Sequence, residues 1–68
     1  MGAVMRIDQM ERELREAGHE VVREYVMGEL DDTYDGDGWR VTVYGEVVAE
    51  AASIGGLEER LRRWLVDR

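Results

Sequence analysis

Few side chains in this sequence could act as catalysts. The 68 residues include one serine, one histidine and no cysteine, so thiolate nucleophiles and thiolate metal sites are excluded. Ser53 precedes a helical pattern and is expected to cap that helix, and His19 falls at the junction of two predicted elements. Paired carboxylates need a pocket that separates their pKa values, which a chain of this length rarely encloses. We therefore expect a protein that is not an enzyme and uses no cofactor.

The segment from Asp31 to Gly38 is rich in aspartate and glycine, which are typical of turns. Its spacing Asp31-x-Thr33-x-Asp35-Gly36 resembles the start of an EF-hand calcium loop, a motif that needs a bidentate glutamate at its twelfth position. Counted from Asp31, the twelfth residue is Thr42, inside a predicted strand. We therefore interpret the segment as a hairpin loop and expect no metal site.

Negative charge is concentrated in the middle of the chain. Nine arginines and no lysines oppose sixteen carboxylates, giving a net charge of −7, and residues 19–37 alone carry seven acids against Arg23. A chain this acidic is repelled by nucleic-acid phosphates. Dense carboxylates on a rigid hairpin can instead imitate a phosphate backbone and occupy a basic groove of another protein. The residues predicted to contact such a partner are Glu20, Glu24, Glu29, Asp31, Asp32, Asp35 and Asp37.

Two helices are predicted from apolar residues at helical spacing. Asp8 and Glu11 are interpreted as a capping box at the start of the first helix, and Gly18 as the residue that ends it. The last helix follows Ser53. The apolar stripe consists of Ile7, Met10, Leu14 and Ala17 in the first helix and of Leu57, Leu61, Trp64 and Leu65 in the last.

Three strands are predicted between these helices. Residues 19–27 follow a glycine and are rich in β-branched and aromatic side chains, which favours a strand, although they also fit an extension of the first helix to about Leu30. Residues 39–44 alternate between apolar and polar positions, and Gly45-Glu46 is expected to form a tight turn. Residues 47–52 return as the third strand, with Val47, Ala49 and Ala51 on one face.

These elements predict a single α+β domain over residues 1–68. Its order is α-β-β-β-α, and two helices cover one face of a three-stranded antiparallel sheet. The alternative is a long first helix, a β-hairpin and a final helix. The predicted core consists of Ile7, Met10, Leu14, Val22, Val26, Trp39, Val41, Val43, Val47, Leu57, Leu61, Trp64 and Leu65. The other sheet face has no cover, and the residues expected to form an interface there are Arg23, Tyr25, Met27, Arg40, Thr42 and Tyr44.

The order of elements resembles the double-stranded-RNA-binding domain. Trp39-Arg-Val-Thr-Val-Tyr-Gly45 is similar to a hairpin strand of that family, and Ser53 with the apolar stripe after it is similar to its last helix. The family grips phosphates with lysines at the start of that helix, where this chain has Ile54-Gly-Gly-Leu-Glu-Glu59. The Gly-Pro-x-His segment of the family has no counterpart. The resemblance therefore implies a scaffold without RNA binding.

Together these features predict a small, acidic, non-enzymatic protein-binding module. We expect an inhibitor or adaptor of the type that phages and plasmids encode, such as anti-CRISPR proteins, whose partner is a protein with a basic surface. We expect no direct contact with nucleic acid and none with a membrane, since no apolar run reaches about 18 residues, and a cytoplasmic location. The alternatives are a structural or homodimerisation domain that uses the uncovered sheet face, and a degenerate double-stranded-RNA-binding-like domain that acts through protein contacts.

Overall fold

The chain folds as a helix, three strands and a second helix. The computed structural model describes residues 6–67, in which α1 spans Ile7–Glu16, β1 Val21–Val26, β2 Gly38–Val43, β3 Glu46–Ala51 and α2 Ile54–Asp67. The strands form one antiparallel sheet in the order β1-β2-β3. The predicted α-β-β-β-α fold is confirmed, as is the strand within residues 19–27, and the alternative of a long first helix is wrong.

The start of α1 differs from the prediction. The helix begins at Ile7, and the residue before it, Arg6, makes no side-chain cap, so the predicted capping box of Asp8 and Glu11 is wrong. The Ile7 N–H instead donates to Glu58 Oε2 of α2 at 2.9 Å. A helix start leaves its first backbone N–H groups without internal partners, and here a distant side chain supplies one.

The other helix boundaries follow the sequence pattern. Gly18 has φ +97°, and it follows α1 in a Schellman motif: the His19 N–H donates to the Leu14 C=O and the Gly18 N–H to the Arg15 C=O. At the start of α2, the Gly56 N–H donates to Ser53 Oγ at 3.1 Å. The predicted roles of Gly18 and Ser53 are therefore confirmed.

The core lies between the two helices and one face of the sheet. Trp39, Trp64 and Leu65 pack against it while staying partly exposed. The predicted core residues Val22 and Val47 lie outside it, with 46% and 48% of their surface exposed. Val26 also lies outside this core, because its buried side chain is on the opposite face of the sheet. Within residues 6–67, neither helix has the length and apolarity needed to cross a membrane. The buried residues of the core are Ile7, Met10, Leu14, Val21, Val41, Val43, Ala49, Leu57 and Leu61.

In β1 the face assignment of the prediction is reversed. Arg23 is the Cα partner of Val41, and Tyr25 is the partner of Trp39. Paired residues share a face of the sheet, so Arg23 and Tyr25 lie on the side that carries the helices, and their prediction as uncovered-face residues is wrong. Val21 and Val22 are adjacent and both apolar, so the alternation along β1 cannot decide which of them points inward.

In β3 a bulge shifts the pattern by one residue. Val41 pairs with Ala49 but Thr42 pairs with Val47, which leaves Val48 as the extra residue. Bulges of this kind re-aim side chains locally, so Val48 packs against the core and Val47 does not. The hairpin turn is Tyr44-Gly45, both with positive φ, as two-residue hairpins favour, and so begins one residue earlier than the predicted Gly45-Glu46 turn.

Candidate protein-binding surface

The connection between β1 and β2, residues 27–37, is an ordered loop that we call the acidic loop. The N–H groups of Glu29 and Leu30 both donate to the Gly36 C=O, at 2.9 and 3.0 Å. The Gly28 N–H donates to Asp37 Oδ1 at 2.9 Å, and the Asp37 N–H donates to Asp35 Oδ1 at 3.0 Å. These bonds close the loop on itself and fix the carboxylates of Asp35 and Asp37.

Leu30 anchors the acidic loop to the sheet. Its side chain is 5% exposed, and its Cδ1 atom would lie 2.6 Å from a Cβ built on Gly38. Gly38 pairs with Val26 on the face opposite the helices, and Val26 is also buried. The loop therefore covers one end of that face. Leu30 belongs to no alternating or helical stripe and is not among the predicted core residues.

Most carboxylates of the middle segment have no arginine partner. Glu29 pairs with Arg40 at 3.1 Å, and Asp35 and Asp37 accept the loop hydrogen bonds described above. Neither Asp35 nor Asp37 forms an ion pair with an arginine among residues 6–67. Among residues 6–67, side chains with neither an ion pair nor a hydrogen bond include those of Glu20, Glu24, Asp31 and Asp32.

The predicted contact residues do not form one cluster. The four aspartates lie on the acidic loop, where Asp32 also borders a groove with Arg60 and Trp64 beside β3. Glu20 lies at the far end of β1, where its C=O accepts the Tyr44 N–H. Since a strand rises about 3.3 Å per residue, the length of β1 places Glu20 roughly 20 Å from the loop. The structure thus brings together the aspartates and Glu29, with Glu24 nearby, and separates Glu20 from them.

Tyr34 is a residue of this surface that the sequence analysis missed. It lies between Asp32 and Asp35 in the acidic loop, and its side chain is fully exposed. An aromatic ring in water on an ordered loop is available for contact with another molecule. The sequence signal was its isolation: Tyr34 is the only large side chain between Leu30 and Trp39, and it matches neither a helical nor an alternating pattern.

The face of the sheet opposite the helices, which we call the outer face, has a charged row across its three strands. Arg40 on β2 pairs with Glu24 on β1 and with Glu50 on β3 in the strand register. Its Nε lies 2.8 Å from Glu50 Oε2, and its Nη1 lies 3.1 Å from Glu29 Oε1. Hydrogen bonds to Glu50 and then Glu29 raise the pKa of Arg40. Arg40 is therefore occupied by two carboxylates, and Glu24 has no ion-pair partner among residues 6–67.

The other predicted interface residues lie in different places. Thr42 is on the outer face next to Val22 and Val47. Tyr44 is at the turn, where its hydroxyl donates to the Gly18 C=O and its ring contacts His19 edge-on. Met27 is exposed at the start of the acidic loop. The predicted interface is therefore divided between the two faces and the ends of the sheet.

Arg23 belongs to an ion-pair group beside α1 in which only Glu11 is buried. Its guanidinium lies 3.1 Å from Asp8 and 3.4 Å from Glu11. Glu11 is 2% exposed, and its Oε2 makes no hydrogen bond within residues 6–67. Burial raises the pKa of Glu11, although Arg23 and Arg15 oppose the shift. This group is not among the predictions from sequence, in which Glu11 belongs to the capping box.

The residues considered for catalysis and metal binding are dispersed. Ser53 follows β3 and His19 precedes β1, and the strand register places these two ends at opposite edges of the sheet. Within residues 6–67, no three histidine, cysteine, aspartate or glutamate side chains are placed to hold a metal ion.

Comparison with protein families, with curated proteins and with solved structures finds no match to this chain.

Proposed function

We propose that this chain is a small acidic protein-binding module, an inhibitor or adaptor that docks its acidic loop on a basic surface of a partner protein. One observation carries the proposal: an ordered loop presents Asp31 and Asp32 without arginine partners among residues 6–67. Asp35 and Asp37 add charge beside them. The proposed module has no enzymatic activity.

Two properties of the acidic loop favour binding: its backbone is already ordered, and its carboxylates carry unpaired charge. A loop that is already ordered loses little conformational entropy when it binds, and unpaired carboxylates need not break internal ion pairs first. A partner with a positive groove would be steered to this loop by the long-range field of the chain. Grooves of that sign in proteins bind nucleic-acid phosphates, so we propose a nucleic-acid-binding protein as the target, as for anti-CRISPR inhibitors.

Tyr34 gives the proposed contact a directional component. Its exposed side chain lies between Asp32 and Asp35 along the chain, directly before Asp35. An arginine of the partner could stack on the ring while its guanidinium faces a carboxylate, which combines a cation–π contact with an ion pair. We therefore include Tyr34 in the proposed site.

The test is a charge-neutral variant of the acidic loop with a matched control. The loop variant changes Asp31, Asp32, Asp35 and Asp37 to asparagine, whose side-chain oxygen can still accept the loop hydrogen bonds. The control removes four exposed carboxylates elsewhere, so both variants have the same net charge. It carries the changes Glu13→Gln, Glu16→Gln, Glu46→Gln and Glu59→Gln.

Binding of a fluorescent oligoarginine peptide to the full chain is measured at several salt concentrations. We expect the loop variant to lose affinity by about tenfold or more and the control by only about threefold. Tyr34→Ala should weaken binding several-fold with no change in net charge. Equal losses in the loop variant and the control would show that only net charge matters, and would remove the acidic loop as the proposed site.

A further inference from the structure

The outer face of the sheet carries a row of uncharged side chains that nothing in the described chain covers. Val22, Thr42 and Val47 lie side by side across the three strands. Val22 and Val47 are each about half exposed. The solvated face of an antiparallel sheet is normally polar, so two exposed valines flanking a threonine are unusual on such a face. We call these three residues the valine row.

The valine row is bordered by negative charge. The row of Glu24, Arg40 and Glu50 lies beside it, two residues further along β1 and β2, which is a distance of about 7 Å. Arg40 is held by Glu50 and Glu29, which leaves these four charged side chains with an excess of two negative charges. The carboxylate of Glu24 is the one without a partner in residues 6–67.

One end of the outer face is already covered. Leu30 lies against Gly38 at one end, and the acidic loop follows it along that edge. At the other end of the face, the Tyr44-Gly45 turn joins β2 to β3. Along the strands, the open area consists of an apolar strip, an acidic strip beside it and the acidic loop beyond. At the β3 edge, Val47 also borders a groove lined by Arg60 and Arg63 together with Glu50 and Asp67.

Charge decides which kind of molecule can cover this area. A second copy of the chain would bring the same excess of carboxylates against itself, on a molecule of net charge −7. A nucleic acid or an anionic membrane would meet the same repulsion. A segment with apolar side chains on one side and arginine or lysine beside them would satisfy both strips at once.

We propose that the outer face binds an amphipathic cationic segment of the partner protein. Its apolar side chains cover the valine row and its basic side chains pair with Glu24. This inference rests on the proposed function, because the partner is the same basic protein that contacts the acidic loop. It adds a second contact of different chemistry, one that salt weakens less than the first.

The experiment compares two synthetic peptides of equal positive charge. One alternates lysines with leucines so that the leucines form one face, and the other has glutamine in place of every leucine. Each is titrated into the full 15N-labelled chain and followed by NMR. We expect the leucine peptide to bind about five- to tenfold more tightly and to shift the amide signals of Val22, Thr42 and Val47.

The matched variants are Val22→Thr with Val47→Thr, and Val66→Thr as the control. Threonine keeps the shape of valine and its preference for strands, and Val66 is an exposed valine of α2. The double variant should bind the leucine peptide no more tightly than the glutamine peptide, while the control should bind like the parent chain. The map of shifts in the parent chain tests the proposal even where a variant unfolds.

The outcomes separate this proposal from the proposed function. If both peptides bind equally and shift only the acidic loop, the outer-face proposal is overturned and the proposed function stands. If the peptides shift the valine row but the loop asparagine variant binds them as well as the parent does, the acidic-loop role fails instead. If sedimentation shows a dimer that the double valine variant abolishes, a second copy covers the face, and our choice of partner is wrong.

Discussion

Among single residues, Glu11 is the one whose environment departs most from what its type suggests. A glutamate on a helix is normally exposed, yet Glu11 is only 2% exposed. It lies beside Arg23, with which it forms an ion pair. Removal from water disfavours its charged form, and Asp8 adds to that effect, while Arg23 and Arg15 reduce it. The result is a carboxyl group whose pKa is raised from its ordinary value of 4.5.

This raised pKa predicts how stability changes with pH. Because its pKa is raised, the folded chain holds the Glu11 proton more strongly than the unfolded chain does. The contribution of Glu11 to the free energy of unfolding therefore falls as the pH rises from 4.5 towards the raised pKa of the folded state. Glu11→Gln should remove this decline. Urea unfolding at a series of pH values from about 4.5 to 7 measures it.

Glu13→Gln is the control for this measurement, because Glu13 is an exposed carboxylate of the same helix. It should keep the decline of the parent chain. A profile for Glu11→Gln that is as steep as that of the parent chain would show that Glu11 titrates alike in the folded and unfolded states, contrary to our assignment.

At the level of the elements, the close contact around Gly38 joins the sheet to the acidic loop. A Cβ at this position would lie 2.5 Å from the Ala51 carbonyl oxygen and 2.6 Å from Leu30 Cδ1. The first contact is with the backbone of β3, which cannot move without disturbing the β2–β3 pairing. Only glycine therefore allows β2, β3 and the loop to meet at this point.

We predict that Gly38→Ala destabilises the fold by about 1–3 kcal/mol, the usual cost of overpacking. Gly55→Ala is the matched control, since a Cβ there meets nothing within 4 Å. It should stabilise the chain by up to about 1 kcal/mol, because alanine is the better helix former. Thermal unfolding of both variants tests the contrast, and equal melting temperatures for the two would contradict this account of Gly38.

The same elements show which parts of the fold can be predicted from sequence. The order of helices and strands could be predicted, because apolar spacing, Gly18 and Ser53 are local signals. The face of β1 could not, because Val21 and Val22 are both apolar. The bulge at Val48 leaves no mark in the sequence, and it moved one predicted core residue to the surface.

At the level of the whole molecule, the charge is larger than the ion pairs can offset. The chain carries −7, and the acidic loop contains aspartates without cationic partners among residues 6–67. Like charges held together destabilise a folded state. If the loop serves binding, as we propose, this repulsion is a cost to stability, and relieving it should make the chain more stable and less able to bind.

The loop variant with four asparagines should accordingly melt at a higher temperature than the parent chain. We expect a gain of roughly 0.5–1 kcal/mol in total, which is about 2–8 °C for a domain of this size. Calorimetry in low and high salt measures it, and salt should reduce the difference. A lower melting temperature in low salt would show that the fold itself needs these charges.

The charge pattern itself could be predicted from composition, whereas the binding surface could be predicted only in part. Sequence position grouped Glu20 with the loop aspartates, but a strand separates them in space. The pairing of Arg40 with Glu29 and Glu50 depends on strand register and loop closure. Neither of these long-range features has a local signal in the sequence.

The hydrogen bond from the Ile7 N–H to Glu58 joins positions 51 residues apart. During synthesis, it can form only after the ribosome has added Glu58. Until Glu58 has been synthesised, α1 lacks both this carboxylate and the α2 side chains that complete the core. Met10 and Leu14 then remain open to water and to chaperones. Folding of α1 onto the core therefore waits until α2 has been synthesised, and a nascent chain stalled before Glu58 should be sensitive to proteases.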